Sequence, residues 1–534
     1  MTMRILSLTQ SRRRFPLLVL ALAILGSALP VPAAVEQPPA AQPVPARIEI
    51  AAGPFDASLE SLRRYQCPDG FRDAKLLIHA LATPAGKIAS VSLLGCTGKL
   101  LWTQGPEGLL VTLPATIISQ DAIALKIIGC DLKPATTARS AILPIPETPI
   151  DVERIMRVAA RKFAAFDASQ KTQAEYPTDA KGATWRTVKA DDWVSGFYPG
   201  ALWYLYEYAK ARQWPDAEVW RARAEAWTAG LEKQQFNTGT HDLGFMMFDS
   251  YGNGCRITKN PAYRPIINQA AQSLAARYLP KARLLRSWGK VDDMSNAQVI
   301  IDNMMNLELL MWAAQNGGTT LGGTSDDLRK IAISHADRAL ELFFRPDGST
   351  CHVVELDPKT GEIRLKRTEQ GKANDSTWSR GQTWAIYGFA YMYEATGDQR
   401  YLDASLNAAT YYLAHLPADL VPPSDFNSTL KGLEFQDSSA AAIASCAFFR
   451  LQRLVKDPVL KQKYRDAAIA MLRSLTSAPY FSEKDDKASL LVYSARSYHA
   501  DPNHRLTNTS LIWNDYYLLE ALLQYQALIE PVKP

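Results

Sequence analysis

The sequence predicts a mainly α-helical protein, an (α/α)6 barrel preceded by a small β-sandwich-like domain. Three observations predict it. From about Val152 onward, apolar residues recur at helical spacing in one segment after another, and many of these segments end at Gly or Pro. Between the helices a polar or aromatic cluster returns, centred on Trp193, Asp242, Asp302, Trp378, Asp437 and His499. The intervals are 49 to 76 residues, room for two helices and their loops. Before Val152 the texture differs: short β-branched or alternating runs are bounded by Gly and Pro.

Taken in order, residues 1–33 read as an export signal. A basic start, "MTMRILSLTQSRRRF", precedes the apolar run "PLLVLALAILGSAL", and small residues offer cleavage near Ala33 or Ala34. The arginines of "SRRRF" fit either the general secretory or the twin-arginine route, and the expected destination is the periplasm or the medium. Residues 34–46 are a Pro/Ala-rich linker. Residues 47–142 form the β-rich domain, with "KIASVSLLG", "KLLWTQG", "GLLVTLPA" and "AIALKIIG" as strands. A second linker spans 143–151, and 152–534 is the barrel. There "ALWYLYEYAKAR", "LRKIAISHADRALELFF" and "TWAIYGFAYMYEATGD" are among roughly a dozen helical stretches. An open α-solenoid is the other arrangement of helix pairs, but it would not gather special residues at one end of every pair.

The chain has 534 residues, 47% apolar and 21% charged, the balance of a globular protein with a large core. Its formal charge of +5 includes four arginines of the signal and no signal acid, so the mature chain stands near +1. That excludes a strong polyanion-binding charge, and no basic stripe points to nucleic acid. Once the signal is gone, no apolar run of about 18 residues remains to span a membrane. The six cysteines match no metal-site spacing. Export permits disulfides, with Cys96–Cys130 and Cys255–Cys351 as the first pairings to expect. The 22 Tyr and 12 Trp suit a sugar-binding cleft as well as a core.

The clusters carry the chemistry. "DDWVSGFYPGALW" offers Trp193 and its aromatic neighbours Phe197, Tyr198 and Trp203 as a stacking wall or as core. "THDLGF" places His241 and Asp242 at a helix start, where the aspartate could also serve as a cap. "QVIIDNMMNLELLMWAA" is almost wholly apolar yet contains Asp302, with Asn306 one turn on along the same face. A lone buried carboxylate costs several kcal/mol unless paired or protonated. His352 lies in an expected β-hairpin turn. Trp378, Arg380, Gln382 and Trp384 crowd another helix start, where Arg380 could meet a substrate carboxylate or form an internal salt bridge. Asp437 or Ser438 caps a further helix, and Tyr498 and His499 precede the last. His335 and His415 lie on helix faces and read as structural or solvated.

The segments "DDWVSGFYPGALW", "THDLGFM", "VIIDNMMNLELLMWA", "DSTWSRGQTWAIYGFA", "DSSAAAIAS" and "SLIWNDYYLLEAL" resemble, in this order, those of the unsaturated glucuronyl hydrolases, glycoside hydrolase family 88. The resemblance covers roughly residues 152–530. It implies a barrel of six helix pairs and an enzyme acting on unsaturated uronyl oligosaccharides without metal or other cofactor. It makes Asp302 the general acid and base and Asp242 the second essential carboxylate, bound to sugar hydroxyls. His241, Trp193, Trp288, His352, Trp384, Tyr498 and His499 become substrate-pocket residues, and Arg380 and Gln382 are placed with them. The related unsaturated rhamnogalacturonyl hydrolases of family 105 share fold and chemistry and are the alternative. A lyase or epimerase on the same barrel, or a catalytically dead glycan-binding protein, are the remaining readings. The presence of both aspartates opposes the dead barrel.

The implied reaction explains the aspartate. A C4=C5 unsaturated uronate is a vinyl ether, so an acid can protonate C4 and water can add at C5. One carboxyl group can give the proton and then activate the water. A neutral-pH proton donor needs a raised pKa, which an apolar face and a neighbouring carboxylate would supply.

The first domain has its own resemblance. "SLESLRRYQCPDGFRDAKLLIHA" is similar to the opening of family 29 α-L-fucosidases, and "IASVSLLGCTGKLLWTQGPEGLLVTLP" to their closing β-sandwich. The intervening catalytic barrel of those enzymes is missing, so the expectation is a packing or glycan-binding module without fucosidase activity.

Overall fold

The structure is a computed structural model that describes residues 17–23, 47–50, 75–78, 87–93, 100–105, 108–112, 122–130, 149–170, 172–498 and 507–530. It divides into two compact units, Met1–Pro144 and Ile145–Pro534. The first unit holds seven strands among its described residues: β1 Leu17–Ala23, β2 Arg47–Ile50, β3 Lys75–Ile78, β4 Lys87–Leu93, β5 Leu101–Gly105, β6 Gly108–Thr112 and β7 Ala122–Cys130. They form two sheets, ordered β1-β7-β4 and β2-β3-β6-β5. Leu109 and Val111, two apart on β6, are fully buried, as alternation on a half-buried strand requires. Leu17–Ala23, within the apolar run assigned to the export signal, is here β1, antiparallel to β7.

The second unit contains twelve α-helices among its described residues. They are α1 Val152–Ser169, α2 Phe197–Ala211, α3 Ala217–Ala229, α4 Asn253–Thr258, α5 Tyr263–Ala275, α6 Asn303–Gln315, α7 Ser325–Phe343, α8 Ser379–Thr396, α9 Gln399–Ala414, α10 Ser438–Leu454, α11 Pro458–Leu475 and α12 Ile512–Ile529. A π-helical segment, Gly244–Gly252, runs directly into α4. An inner ring passes from α2 to the π-helical segment, α6, α8, α10 and α12, and α12 packs back on α2 to close it. Each inner element has an outer partner: α3, α5, α7, α9 and α11, with α1 behind α2 and α12. This is an (α/α)6 barrel.

The sequence separates the two rings. Inner helices are apolar nearly all round: α10 buries thirteen of its residues, from Ser438 to Leu451. The outer α1 buries one stripe, including Ile155, Met156, Ala159, Phe163 and Phe166, and turns its charges outward. Each large apolar side chain taken from water contributes about 1.5–3 kcal/mol, which is why the double-sided inner helices are locked in place. Ends are set locally. Asp151 Oδ1 accepts from Arg154 N at 3.0 Å to start α1, and Gly397, at φ 74°, ends α8.

Short strands decorate the barrel, and apart from the hairpin expected around His352 the sequence texture there reads as helix and loop. They are β8 Glu175–Lys181, β9 Thr184–Lys189, β10 Tyr278–Leu279, β11 Leu284–Leu285, β12 Ala297–Ile300, β13 Val353–Leu356, β14 Ile363–Arg367 and β15 Ser510–Leu511. β8 contains Pro177 and charges at both ends, so no strand pattern marks it. The sheet β12-β13-β14 matters most for the site. Ile300 faces Val353 across it, and one residue further Ile301 N donates to His352 O at 3.1 Å. His352 therefore stands at the foot of β13, not in the hairpin turn expected for it, because the turn falls after Leu356.

The expected Cys255–Cys351 bridge is absent: both thiols are free. Cys255 lies on α4, and the buried Cys351 Sγ donates to Leu342 O at 3.7 Å. The expected Cys96–Cys130 pair lies outside the residues whose side chains are described.

Candidate active site

The loops that enter the inner helices meet at one end of the barrel. Trp193, before α2, packs on Trp513 at the start of α12 with ring centroids 4.9 Å apart, and on Phe245 of the π-helical segment at 5.8 Å. Arg380 of α8 reaches Asp437, the cap of α10. Asn306 of α6 reaches the backbone of Gly244. Helix N-termini carry partial positive charge, so their convergence favours an anionic ligand.

Two carboxylates occupy this end. Asp302 is the N-cap residue of α6, but its side chain makes no cap bond, and Oδ2 is buried without a hydrogen-bond partner. Burial and then the negative charge of Asp242 raise its pKa to about 7, against the opposing pull of Arg380. Trp384, fully buried behind it between Phe245 and Tyr517, turns an indole N–H toward the anion without an ordinary hydrogen bond. Asp242 accepts from Thr240 Oγ1 at 2.7 Å. Burial raises it to about 6, while Thr240 and Arg277 pull it down. The charge of Asp242 adds to burial at Asp302, so of the two Asp302 has the higher pKa and holds its proton to higher pH.

Two neutral imidazoles flank them. His352 Nδ1 faces the backbone N–H groups of Glu369 and Gln370 at 3.2 and 3.3 Å and so acts as acceptor. Its proton therefore sits on Nε2, which lies 3.8 Å from Asp302 Oδ2. The ring packs at a tilt against Trp378, with centroids 4.3 Å apart. His241 Nε2 lies 3.3 Å from Asp242 Oδ1. Burial, joined by Arg277 for His241 and by Arg380 and Arg367 for His352, lowers each pKa to about 3. Neither ring is a cation at working pH. A buried acid held protonated next to an ionised partner is equipped to protonate a carbon or a leaving oxygen.

A family profile, Glycosyl Hydrolase Family 88, matches residues 164–524. The chain belongs to glycoside hydrolase family 88. Among curated proteins, an unsaturated glucuronyl hydrolase of Formosa agariphila is 35% identical over 346 residues, 64% of this chain and 82% of that one. An unsaturated chondroitin disaccharide hydrolase of Streptococcus pyogenes serotype M1 is 30% identical, over 66% of this chain and 86% of its own. Among solved structures, an unsaturated glucuronyl hydrolase specific for heparin aligns with a TM-score of 0.62 at 31% identity, over 71% of this chain and 97% of that one. The first unit of the chain, Met1–Pro144, lies outside the family match.

Within this family 88 barrel, the residues singled out in the sequence divide. Asp242, Asp302, His241, His352, Trp193 and Trp384 come together as described. Tyr498 joins them through the 368–371 segment, since its N–H donates to Gln370 O at 2.8 Å. Trp288 lies beside the strand leading to Asp302, bridged to Gln298. His499 lies outside the described residues.

Two assignments change. Arg380 is not a free cation. Its guanidinium, 1% exposed, donates to Asp437 Oδ2 at 2.9 Å, Ala495 O at 2.6 Å and Arg496 O at 2.9 Å, and lies over the Trp378 ring. It is the internal ion pair of the two readings open in the sequence, and its charge reaches Asp302 from within. Gln382 faces the outer ring instead of the pocket. Its Oε1 accepts from Thr350 N at 2.9 Å, and its Nε2 donates to Gly348 O and Ala408 O. It lies two residues from Arg380 and Trp384, which a helix turns to another face.

The histidines read as structural are so placed: His335 Nδ1 accepts from Leu285 N at 3.0 Å, and His415 stacks on Tyr411 at 3.9 Å. Two residues of the site escaped the sequence reading. Burial and, among nearby charges, that of Asp242 raise Asp192, and Arg277 acts on both Asp242 and His241. Neither belongs to a pattern. Asp192 looks like a turn residue, and Arg277 is one of several arginines in "AARYLPKARLLRSW".

Proposed function

We propose that this chain is an unsaturated glucuronyl hydrolase that hydrates the C4=C5 double bond of unsaturated uronyl residues left at the non-reducing end by polysaccharide lyases. The observation that carries the reading is the carboxylate pair in a family 88 barrel, where burial and the charge of Asp242 raise Asp302 to about 7 and burial raises Asp242 to about 6. The chondroitin disaccharide hydrolase and the heparin-specific structure among its relatives support glycosaminoglycan fragments as substrates.

In this mechanism Asp302 gives its proton to C4, and positive charge develops at C5 and the ring oxygen. Asp302, now a carboxylate, takes a proton from a water whose hydroxyl bonds to C5. The resulting hemiketal opens to a ketone, and the neighbouring sugar leaves from C1. Asp242 holds the ring hydroxyls while its negative charge, close at hand, favours the oxocarbenium-like centre. His352 keeps an N–H toward the Asp302 side, and the Trp193 wall offers a stacking face. The ordinary glycosidase arrangement, two carboxyls flanking the anomeric carbon, is not required.

The test is a panel of lyase-generated unsaturated disaccharides, chondroitin and heparin types included, followed by the ultraviolet absorbance of the conjugated uronate. The absorbance falls if the reading holds; persistence with every substrate overturns it. Export to the periplasm belongs to the same proposal, supported by the basic start and apolar run of residues 1–33. Cell fractionation tests it, with the activity expected outside the cytoplasm.

A further inference from the structure

Arg277 is a buried arginine with an unusual set of partners. It follows α5 directly, and only 1% of its surface is exposed. Its backbone begins a hairpin: Arg286 N donates to Arg277 O at 3.0 Å, next to the β10–β11 pairing of Tyr278 with Leu285. The guanidinium then folds over two loops. Nε donates to Arg286 O at 2.9 Å, and Nη2 to Ser287 O and Gly289 O, each at 3.0 Å. Nη1 donates to Thr238 O.

Every one of these acceptors is a backbone carbonyl. Among the described residues no carboxylate forms an ion pair with Arg277. A buried charge without a counter-ion is costly, so carbonyl dipoles alone are a poor reason to keep one. A neutral side chain could not reach four carbonyls in this fork, but the positive charge has a second consequence.

The two loops are those of the site. Residues 286–289 carry Trp288 and lead through Ser287 to the strand before Asp302, since Ser287 Oγ accepts from Ile300 N at 2.9 Å. Thr238 is four residues before Asp242, in the loop that also provides Thr240 and His241. We propose that Arg277 is a positioning residue of the active site, clamping the His241–Asp242 loop to the Trp288 loop and presenting a fixed positive charge to Asp242.

The charge matters because Asp242 and Asp302 are similarly buried and compete for one proton. The charged and titratable groups that interact with Asp242 are Asp302 at the start of α6, Asp192 in the loop before α2, the adjacent His241 and Arg277. Arg277 is the cation that acts on Asp242, pulling its pKa down against burial. Burial, and then the neighbouring guanidinium of Arg286, lower Arg277 only to about 10, so it stays charged. Arg277 thus helps leave the proton on Asp302, where a proton donor is wanted, and the ionised form on Asp242.

The inference rests on the hydrolase reading, and the experiment separates the two. Wild type, Arg277→Met and Arg277→Lys are compared on an unsaturated chondroitin disaccharide across pH, with circular dichroism and melting as folding controls. A wild type that leaves the chromophore intact on this and every other unsaturated uronide defeats the hydrolase reading itself. Given an active wild type, Arg277→Met is expected to lose about 100-fold in kcat/KM from misplaced loops. Its acidic limb is expected to move about one unit to higher pH, because Asp242 has lost its cation. Arg277→Lys keeps the charge but not the fork, so it loses rate with its acidic limb unmoved. A folded Arg277→Met with wild-type kcat/KM, or with its acidic limb unmoved, overturns the proposal. If Arg277→Met does not fold, Arg277→Lys decides by the same rate measurement, and wild-type kcat/KM there overturns it. Failure of both variants to fold makes Arg277 a residue of the fold alone, which also overturns it.

Discussion

Asn306 Oδ1 accepts a hydrogen bond from Gly244 N at 2.8 Å, and a second from Phe245 N at 3.2 Å. Asn306 is fully buried one turn into α6 from Asp302, and Gly244 is two residues after Asp242. One amide thus fastens the turn that carries one carboxylate to the turn that carries the other. The fit leaves no room for a side chain at Gly244, where an added Cβ would fall 2.6 Å from Asn306 Oδ1 and 2.7 Å from its Cα. Asn306→Ala orphans two buried N–H groups and is expected to destabilise the barrel by about 2–4 kcal/mol, measured by denaturant unfolding. Activity should fall with it, since the carboxylate spacing is no longer fixed. Unchanged stability and rate in Asn306→Ala would contradict this role.

Asp242→Asn tests the electrostatic coupling of the pair. The negative charge of Asp242 raises Asp302, so its removal lowers the pH at which Asp302 gives up its proton. The residual activity of Asp242→Asn is expected to be small. Its alkaline limb should lie at lower pH than in wild type, read from rates across pH. An alkaline limb at higher pH would show that the coupling runs otherwise.

The same shifts predict stability. Both carboxylates have raised pKa values when folded, so each favours the folded state when protonated and opposes it once ionised. Their contribution is therefore lost as pH rises from about 4, the unfolded carboxylate range, toward 7. Asp302→Asn, a neutral near-isostere, should melt higher than wild type at pH 8 and close to it at pH 5. A site whose geometry serves catalysis at the expense of stability behaves this way. Equal melting temperatures at both pH values would remove the argument for a strained, desolvated acid.

Arg380 and Asp437 form a wholly buried ion pair between α8 and α10, with side chains 1% and 0% exposed. Arg380→Met leaves Asp437 buried without its cation, and is expected to cost about 3–5 kcal/mol in unfolding measurements. Replacement of a surface-exposed arginine such as Arg161, whose pair with Asp485 is largely in solvent, should change stability by less than about 1 kcal/mol.

Much of this site was legible in the sequence because its physics is local. An aspartate inside "QVIIDNMMNLELLMWAA" is anomalous on burial grounds alone, and a helix start explains how Asp242 and Asp302 come to the same end of paired helices. The ring of helices followed from apolar periodicity and from clusters that recur at intervals of two helices and their loops. The illegible part is non-local. His352 meets Asp302 because β12 and β13 pair in one register, and nothing near either residue specifies that partner. Gln382 and Arg380 share a polar cluster with Trp384, but helical rotation turns Gln382 outward, and Asp437 claims Arg380 from 57 residues away. Arg277 acts through carbonyls, which leave no trace in side-chain patterns. The strand β8, with Pro177 in it, forms because β9 and β15 flank it and not through its own propensity.

The central claim is that Asp302 supplies the proton that hydrates an unsaturated uronide. The most direct measurement follows the chromophore of an unsaturated chondroitin disaccharide with wild type and with folded Asp302→Asn at pH 6–7. The account predicts steady disappearance with wild type and a rate at least about 100-fold lower with the variant. Disappearance at the wild-type rate with Asp302→Asn would contradict it.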